Sequence, residues 1–129
     1  MHFLNVEKYI LDTGYSIKYK SKEEGIFLIE NLADGVRNLI VGVAAPVLIF
    51  EQYLFTLQAD NMQVFKALLM KNRDIIHGAF ALTEDGSKVI FRYTLQISNI
   101  DQNEFDAAIN SLSLLISEYY NQLINFSKL

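Results

Sequence analysis

The chain has 129 residues and a formal net charge of −4, is 51% hydrophobic and 20% charged, and contains one proline, six glycines and no cysteine. A length of about 100–200 residues is typical of one domain, so we expect residues 1–129 to form one. The hydrophobic content excludes a disordered chain, and the acidic balance argues against a nucleic-acid partner, which usually requires excess Lys and Arg. The lack of cysteine excludes disulfides and thiolate metal sites.

The apolar segments are too short for a membrane span. The longest mostly apolar stretch, residues 38–50, contains a glycine and a proline and falls short of the ~20 apolar residues that cross a bilayer. Residues 1–14 lack the basic leader and continuous apolar run of a secretory signal. We therefore expect a cytoplasmic protein with no membrane association.

The first half of the chain predicts a helix followed by an antiparallel meander. Apolar residues at helical spacing predict a helix over 3–13, ended by Gly14. Alternation of apolar and polar residues predicts a half-buried strand over 15–20. Further strands are predicted over 26–30, 37–43 and 47–57, separated by turns at Asp34-Gly35 and Pro46.

The second half predicts a helix, a β-hairpin and a long C-terminal helix. Asn61 is a good N-cap for a helix over 62–72, and a glycine-containing turn joins hairpin arms over 78–83 and 88–97. Asp101, with Glu104 three residues later, resembles a capping box at the start of a long apolar stripe. The order of elements predicts an α+β fold.

The sequence offers little chemistry. Its only histidines are His2 and His77, and neither a metal-binding motif nor a glycine-rich phosphate loop is present, so we expect no metal and no cofactor. In one cluster Asp74 could orient His77 while Arg73 holds an anion, as in a general acid-base site. Alternatively, Asn72 and Arg73 close the C-terminus of the helix, and His77 forms a hydrogen bond within a turn.

The predicted strands carry more apolar residues than one buried face requires. An antiparallel sheet with one solvated face should alternate apolar and polar residues, but the second, third and fourth strands are apolar at both phases. Either helices cover both faces, or they cover one and leave an apolar surface for a second subunit or a client segment. We predict that the exposed positions are Ile40, Leu48, Phe50 and Leu54.

The segment Leu68–Asp101 resembles the YbjN domain family, and the order of elements along the whole chain resembles type III secretion chaperones of the Tir-chaperone-like fold. This resemblance implies a small acidic α+β protein that often dimerises and, in the secretion chaperones, holds an effector segment on apolar patches. No catalytic role is implied for the residues that match the YbjN pattern, which are Asn72, Arg73, His77 and Gly78. Pro46 is a departure, because it splits the apolar run into two strands where the secretion chaperones usually have three strands before the middle helix.

These observations favour a non-enzymatic protein-interaction module with a chaperone-like fold. We expect a homodimer and a protein or peptide client, held by hydrogen bonds at a strand edge or by apolar anchors in a groove. One alternative is a regulatory or stress-related dimer without a client. Another is a small-ligand or catalytic domain that uses the region from Arg73 to His77.

Overall fold

The computed structural model describes residues 2–129, in which a helix at each end and one in the middle accompany six strands. The element order agrees with the predicted α+β fold, and most boundaries lie within one or two residues of the predicted ones. The elements are α1 (His2–Asp12), β1 (Ser16–Ser21), β2 (Ile26–Asn31), β3 (Val36–Ala44), β4 (Val47–Thr56), α2 (Met62–Asn72), β5 (Ala79–Leu82), β6 (Lys88–Gln96) and α3 (Gln102–Ser127).

The helix starts follow from local side-chain chemistry. The side chain of Asn61 accepts hydrogen bonds from the backbone N–H groups of Gln63 and Val64, which have no partner within the first turn of α2. Asp101 similarly accepts from the N–H of Glu104 at the start of α3. The two predicted caps therefore determine where these helices begin.

The six strands form one antiparallel sheet in the order β1-β2-β3-β4-β6-β5. The first four strands are the predicted meander, while β6 returns to pair with β4 and leaves the short β5 at the far edge. Pro46 lies in the turn between β3 and β4, where Ala44 pairs with Val47 across a two-residue connection. A proline in a turn removes no hydrogen bond from the ladder.

Helices α1 and α3 cover the same face of the sheet, which we call the inner face. Phe3 of α1 stacks on Phe27 of β2 with 4.3 Å between ring centroids. Phe105 of α3 lies against Phe50 of β4 with 5.5 Å between centroids. Fully burying each such ring contributes roughly 1.5–3 kcal/mol. The core therefore lies between the inner face and these helices.

The opposite face of the sheet, the outer face, is partly exposed. On β6 the outward positions include Arg92, Thr94 and Gln96, and Val89 and Phe91 point into the core. On β2 and β4 the residues between the buried positions are partly exposed. Of the two arrangements that the sequence allowed, the helices adopt the one that leaves a face of the sheet open.

Candidate protein-binding surface

The outer face carries an apolar strip that crosses β1 to β4. Direct pairing places Tyr19 beside Leu28 and Leu28 beside Ile40 in one row. Exposed fractions of 48% for Tyr19 and 41% for Ile40 show that this row is open to solvent. We call the set the outer-face strip, and it consists of Tyr19, Ile26, Leu28, Ile40, Val47 and Ile49.

Charged and polar side chains border the outer-face strip toward β6. The row that contains Ile40 continues with Glu51, which forms an ion pair with Arg92 across the β4–β6 pair. Ile49 is followed by Thr94 in the next row. At the other border, the Tyr19 hydroxyl donates to Glu24, whose carboxylate raises the pKa of Tyr19. The strip is thus apolar at its centre and polar at its borders, as protein-binding surfaces commonly are.

Leu48 and Phe50 do not belong to this surface, contrary to the sequence-based expectation. They are 0% and 1% exposed and lie in the core. The reason is the register across the Pro46 turn, which pairs Val43 with Leu48 and Val41 with Phe50. Directly paired residues point to the same face, and Val41 points to the helices. The strand phase therefore differs by one residue from the predicted one, and such a slip exchanges the two faces.

Ile40 is the predicted position that lies on the outer face, whereas Leu54 faces α3. The pairing of β4 with β6 shifts between Tyr53 and Phe55, so Leu54 sits at an irregularity in the strand. Leu54 packs against the core and lines a groove of about 200 Å³ beside Tyr120 of α3. Of the four predicted positions, Ile40 therefore remains a candidate for contact with a client on the sheet.

Asn72 closes the free edge of the sheet at β5. The backbone N–H of Phe80 donates to Asn72 Oδ1 at 2.7 Å, and Asn72 Nδ2 donates to the carbonyl oxygen of Phe80 at 3.0 Å. These are the backbone groups that an added strand would use. The carboxamide thus occupies the hydrogen-bonding position of a seventh strand at the centre of this edge, which protects it from strand addition.

The other edge, β1, is protected differently. Lys18 and Lys20 lie on this strand and form ion pairs with Glu30 and Glu7 respectively. An irregularity between Ile17 and Tyr19 also interrupts the regular pairing with β2. Lysines and bulges are common means by which edge strands avoid pairing with other chains.

The Arg73, Asp74 and His77 side chains do not assemble into the acid-base arrangement that the sequence allowed. The His77 Nδ1 atom lies 3.1 Å from the Tyr93 hydroxyl, and the described hydrogen bonds of His77 do not involve Asp74. His77 and Asp74 line a groove beside α3, while Arg73 lines another groove along α2. The geometry agrees with a turn in which His77 bonds a neighbouring element.

Gly78 has a packing role at the start of β5. Its φ of 97° lies in the region that favours glycine, and a Cβ atom there would clash with the ring of Phe91. Asn72 bonds the edge strand β5, and His77 bonds Tyr93 of β6. Together with Gly78, these residues of the YbjN pattern join α2 and the turn after it to the hairpin. Their contacts explain the shared string as a structural feature.

Helix α2 presents a second apolar surface. Its Val64 and Leu68 are buried, whereas Met62, Leu69 and Met70 on its other side are more than half exposed. These exposed side chains line a shallow groove together with the cationic Lys66 and Arg73. No prediction from the sequence covers this surface, because apolar residues occur on both sides of α2 and their spacing does not show which side is buried.

Neither a metal cluster nor a membrane helix is found within residues 2–129. In this part of the chain no three His, Asp or Glu side chains are grouped as possible metal ligands. The helices of the described residues include none with the length and hydropathy needed to cross a membrane.

A protein-family model, CesT_Tir_1, matches residues 1–129 and therefore the entire chain. The protein belongs to the CesT_Tir_1 family. This is a family of type III secretion chaperones, and the match confirms the resemblance drawn from the order of elements. A search of curated proteins gives no significant match.

Solved structures show the same fold as this CesT_Tir_1 member. YbjN from E. coli superimposes with a TM-score of 0.66 and 14% identity, over 91% of this chain and 90% of YbjN. A chain of the HopA1–SchA chaperone–effector complex superimposes with a TM-score of 0.63 and 7% identity. The match covers 98% of this chain and 92% of the chain in the complex. The structure of the Yersinia pestis type III secretion chaperone SycH in complex with a fragment of YscM2 also matches. Its TM-score is 0.61 at 14% identity, and the match covers 98% of this chain and 100% of the matched chain.

Membership in the CesT_Tir_1 family and the fold of these neighbours support a protein-binding, chaperone-like role. At such identities the likeness of the structures establishes the fold alone, so the binding surface must be argued from this chain's own residues. The outer-face strip and the exposed side of α2 are two apolar surfaces of residues 2–129 that suit this purpose.

Proposed function

We propose that this CesT_Tir_1 protein is a non-enzymatic chaperone that holds an extended segment of a client protein on the outer-face strip. The observation that carries the proposal is an open sheet face with an apolar centre and charged borders. A sheet that requires only water on this face would carry polar residues where Leu28, Ile40 and Ile49 stand. Exposed apolar patches of this kind commonly mark sites of protein interaction.

The geometry of the strip suits a client in extended conformation. Neighbouring strands lie about 4.8 Å apart, and side chains on one face repeat about every 6.6 Å along a strand. The row of Tyr19, Leu28 and Ile40 runs across the strands and spans about three steps of an extended chain. A client that crosses the strands can therefore place two alternate apolar side chains on this row while the side chain between them faces water. A folded partner would need a flat apolar surface of its own to make the same contacts.

The two sheet edges support binding on the face rather than addition of a strand. At β5 the carboxamide of Asn72 already bonds the N–H and carbonyl groups of Phe80. At β1 the ion-paired Lys18 and Lys20 oppose pairing with another chain. The sequence allowed client binding either by hydrogen bonds at a strand edge or by apolar anchors. The protected edges favour apolar anchors on the sheet face.

The neighbours give this proposal a context. The structure that contains SchA is a chaperone–effector complex, and that of SycH includes a fragment of YscM2. Proteins with this fold thus occur in complexes with other proteins, and we extend this property to the present chain. The absence of an assembled Arg73, Asp74 and His77 site agrees with a binding role and gives no support to catalysis.

A random dodecapeptide library displayed on phage would test the proposal directly. We expect selection on the wild-type protein to enrich peptides with apolar residues at alternate positions. The Ile40→Asp/Ile49→Asp variant should fail to bind these peptides, because it places two carboxylates in the strip without touching the core. A matched control is Leu4→Asp/Leu11→Asp, which changes two exposed leucines of α1 and should leave binding intact.

Two results would contradict client binding on the strip. The first is equal binding of the selected peptides to the wild type and to the Ile40→Asp/Ile49→Asp variant. The second is crosslinking of the peptides to α2 rather than to β2 and β3. Circular dichroism of each variant must first show an intact fold, so that loss of binding is not loss of structure.

We further propose that the exposed side of α2 forms a homodimer. Met62 is 83% exposed, and Leu69 and Met70 are also mostly accessible, so this helix buries one apolar side and exposes another. A two-fold interface would bring the same side chains of both copies together and remove them from water. This proposal is also compatible with a regulatory dimer that has no client.

Light scattering at several protein concentrations distinguishes the two surfaces. We expect the wild type to have twice the mass of the chain and the Leu69→Ser/Met70→Ser variant to have the monomer mass. The Ile40→Asp/Ile49→Asp variant should remain dimeric, since its changes lie on the sheet. A dimer that dissociates only when the outer-face strip is changed would instead assign the strip to self-association and exclude it as a client site.

A further inference from the structure

A groove unrelated to the outer-face strip lies between α3 and the turn that follows α2. It has a volume of about 410 Å³, and its lining includes Asp74, Ile76, His77, Leu114 and Glu118. The groove borders the helical side of the molecule, whereas the outer-face strip lies on the opposite side of the sheet. The groove and the proposed client site therefore do not overlap.

Hydrogen bonds fix the turn that forms one wall of this groove. The Ser111 hydroxyl of α3 donates to the carbonyl oxygen of His77 at 2.6 Å. The His77 ring contacts the Tyr93 hydroxyl of β6 at 3.1 Å. Ile75 packs against the core from the same turn. The wall is thus attached to both α3 and the sheet, so the groove exists before any partner binds.

Two large aliphatic side chains that line this groove are exposed to solvent. Ile76 is 87% exposed and Leu114 is 68% exposed, so most of each side chain lies outside the core. Ile75, the neighbour of Ile76, already supplies the apolar contact that anchors the turn. The exposed pair therefore offers apolar area that a partner can bury.

The charges at the groove are negative. Asp74 and Glu118 are among its lining residues, and none of the lining residues is Lys or Arg. Burial, followed by the nearby Glu118 and Asp74 carboxylates, raises the pKa of Tyr119, which lines the same groove. Lys71 of α2 lies over the rings of Tyr119 and Phe126, with its Nζ atom 5.1 and 6.0 Å from their centroids, and does not line the groove.

We propose that this groove binds a protein segment in which Lys or Arg stands beside an aliphatic side chain. The aliphatic group would pack between Ile76 and Leu114, and the cation would lie near Asp74 and Glu118. Charge complementarity favours a basic segment, because the groove presents the carboxylates of Asp74 and Glu118. An acidic segment would be repelled by them, and a purely apolar segment would give them no counter-charge. This groove is thereby a further binding surface, which selects partners by charge as well as by apolar contact.

Fluorescence anisotropy with a labelled peptide of sequence GSRLSRLSG tests this inference. We expect the wild-type protein to bind this peptide more tightly than GSRSSRSSG, which lacks the leucines, or GSELSELSG, which lacks the cations. The Asp74→Asn/Glu118→Gln variant should bind GSRLSRLSG about three- to tenfold more weakly, as expected for two partly solvated charge contacts. The Ile76→Ser variant changes a side chain outside the core and should also weaken binding.

The control removes the same number of carboxylates elsewhere. Glu84→Gln/Glu104→Gln changes exposed positions that do not line the groove and should leave the affinity unchanged. Equal weakening in this control would show general attraction to an acidic protein and would overturn the proposal. A change from dimer to monomer mass in the Ile76→Ser variant would do so as well, since the groove would then belong to self-association. The Ile40→Asp/Ile49→Asp variant should still bind GSRLSRLSG, because its changes lie on the outer-face strip. This result separates the test of the groove from the test of the strip.

Discussion

Both faces of the sheet carry apolar side chains, and the two faces use them differently. On the inner face, Phe27 and Phe50 are in ring contact with Phe3 of α1 and Phe105 of α3. On the outer face, Ile40 is partly exposed, and Glu51 and Arg92 form an ion pair in the same row. The covered face thus contains packed aromatic rings, while exposed apolar side chains and an ion pair share the open face. We infer that one face provides stability and the other is available for interaction.

Adjacent residues of β4 allow the sharpest test of this difference. Leu48 points to the core and Ile49 to the outer face, and the two side chains have the same number of carbon atoms. Leu48→Ala should lower the free energy of unfolding by about 2–5 kcal/mol, because it leaves a cavity in the core. Ile49→Ala should lower it by about 1 kcal/mol or less, mainly through lost strand propensity.

Urea denaturation of both variants measures these values. Equal losses would mean that the outer face is covered in solution, by a second copy of the chain or by another element, and the distinction between the faces would disappear. Repeating the measurement over a range of protein concentrations identifies a contribution from a second copy, because the stability of a dimer depends on concentration.

Gly78 tests how closely the inner face is packed at its border. Gly78→Ala forces a side chain into a positive-φ conformation and places its Cβ atom against the ring of Phe91. We expect a loss of about 2–4 kcal/mol, from roughly 1–2 kcal/mol of backbone strain and a similar cost of overpacking. Thermal unfolding followed by circular dichroism would measure it.

Gly86 is the matched control for Gly78, since it also has a positive φ, of 74°, but a Cβ atom there would meet nothing within 4 Å. Gly86→Ala should therefore show the backbone cost alone, about 1–2 kcal/mol. If both variants lose the same stability, the ring of Phe91 can move aside, and the border of the inner face is less tightly packed than the structure indicates.

Asn72 extends the comparison from the faces to the edge. Asn72→Ala removes both hydrogen bonds to Phe80, and we expect a loss of about 1–2 kcal/mol together with an exposed strand edge. Size-exclusion chromatography should then show species larger than those of the wild type. The Asn110→Ala variant, at an exposed asparagine of α3, should change neither property. Unchanged association of Asn72→Ala would mean that the carboxamide does not protect the edge.

The secondary structure could be predicted well because its determinants are local. The position of α2 follows from the cap at Asn61 and from apolar residues at helical spacing, and the hairpin follows from its glycine-containing turn. Each signal lies within about ten residues, where the sequence is directly informative. The α+β order of elements and the resemblance to secretion chaperones could be predicted for the same reason.

The candidate surface could be predicted only in part because it depends on how the strands pair. A two-residue turn at Pro46 pairs odd-numbered residues of β3 with even-numbered residues of β4, so Phe50 joins Val41 in the core. The irregularity in β1 similarly moves Tyr19 to the outer face, although simple alternation placed it with Ile17. Neither turn length nor bulge position is encoded in hydrophobic alternation when both phases are apolar.

The ion pair between Glu51 and Arg92 gives the smallest expected effect and tests the outer face from its polar side. Both side chains are partly exposed, so Arg92→Gln should lower the free energy of unfolding by less than about 1 kcal/mol. The difference should shrink further in high salt, which screens exposed charges. A loss above about 2 kcal/mol that persists in salt would indicate a desolvated pair, and the outer face could not then be open at this row. Urea denaturation at low and high ionic strength, with Glu51→Gln/Arg92→Gln as the double variant, would separate the pair from the effect of each side chain alone.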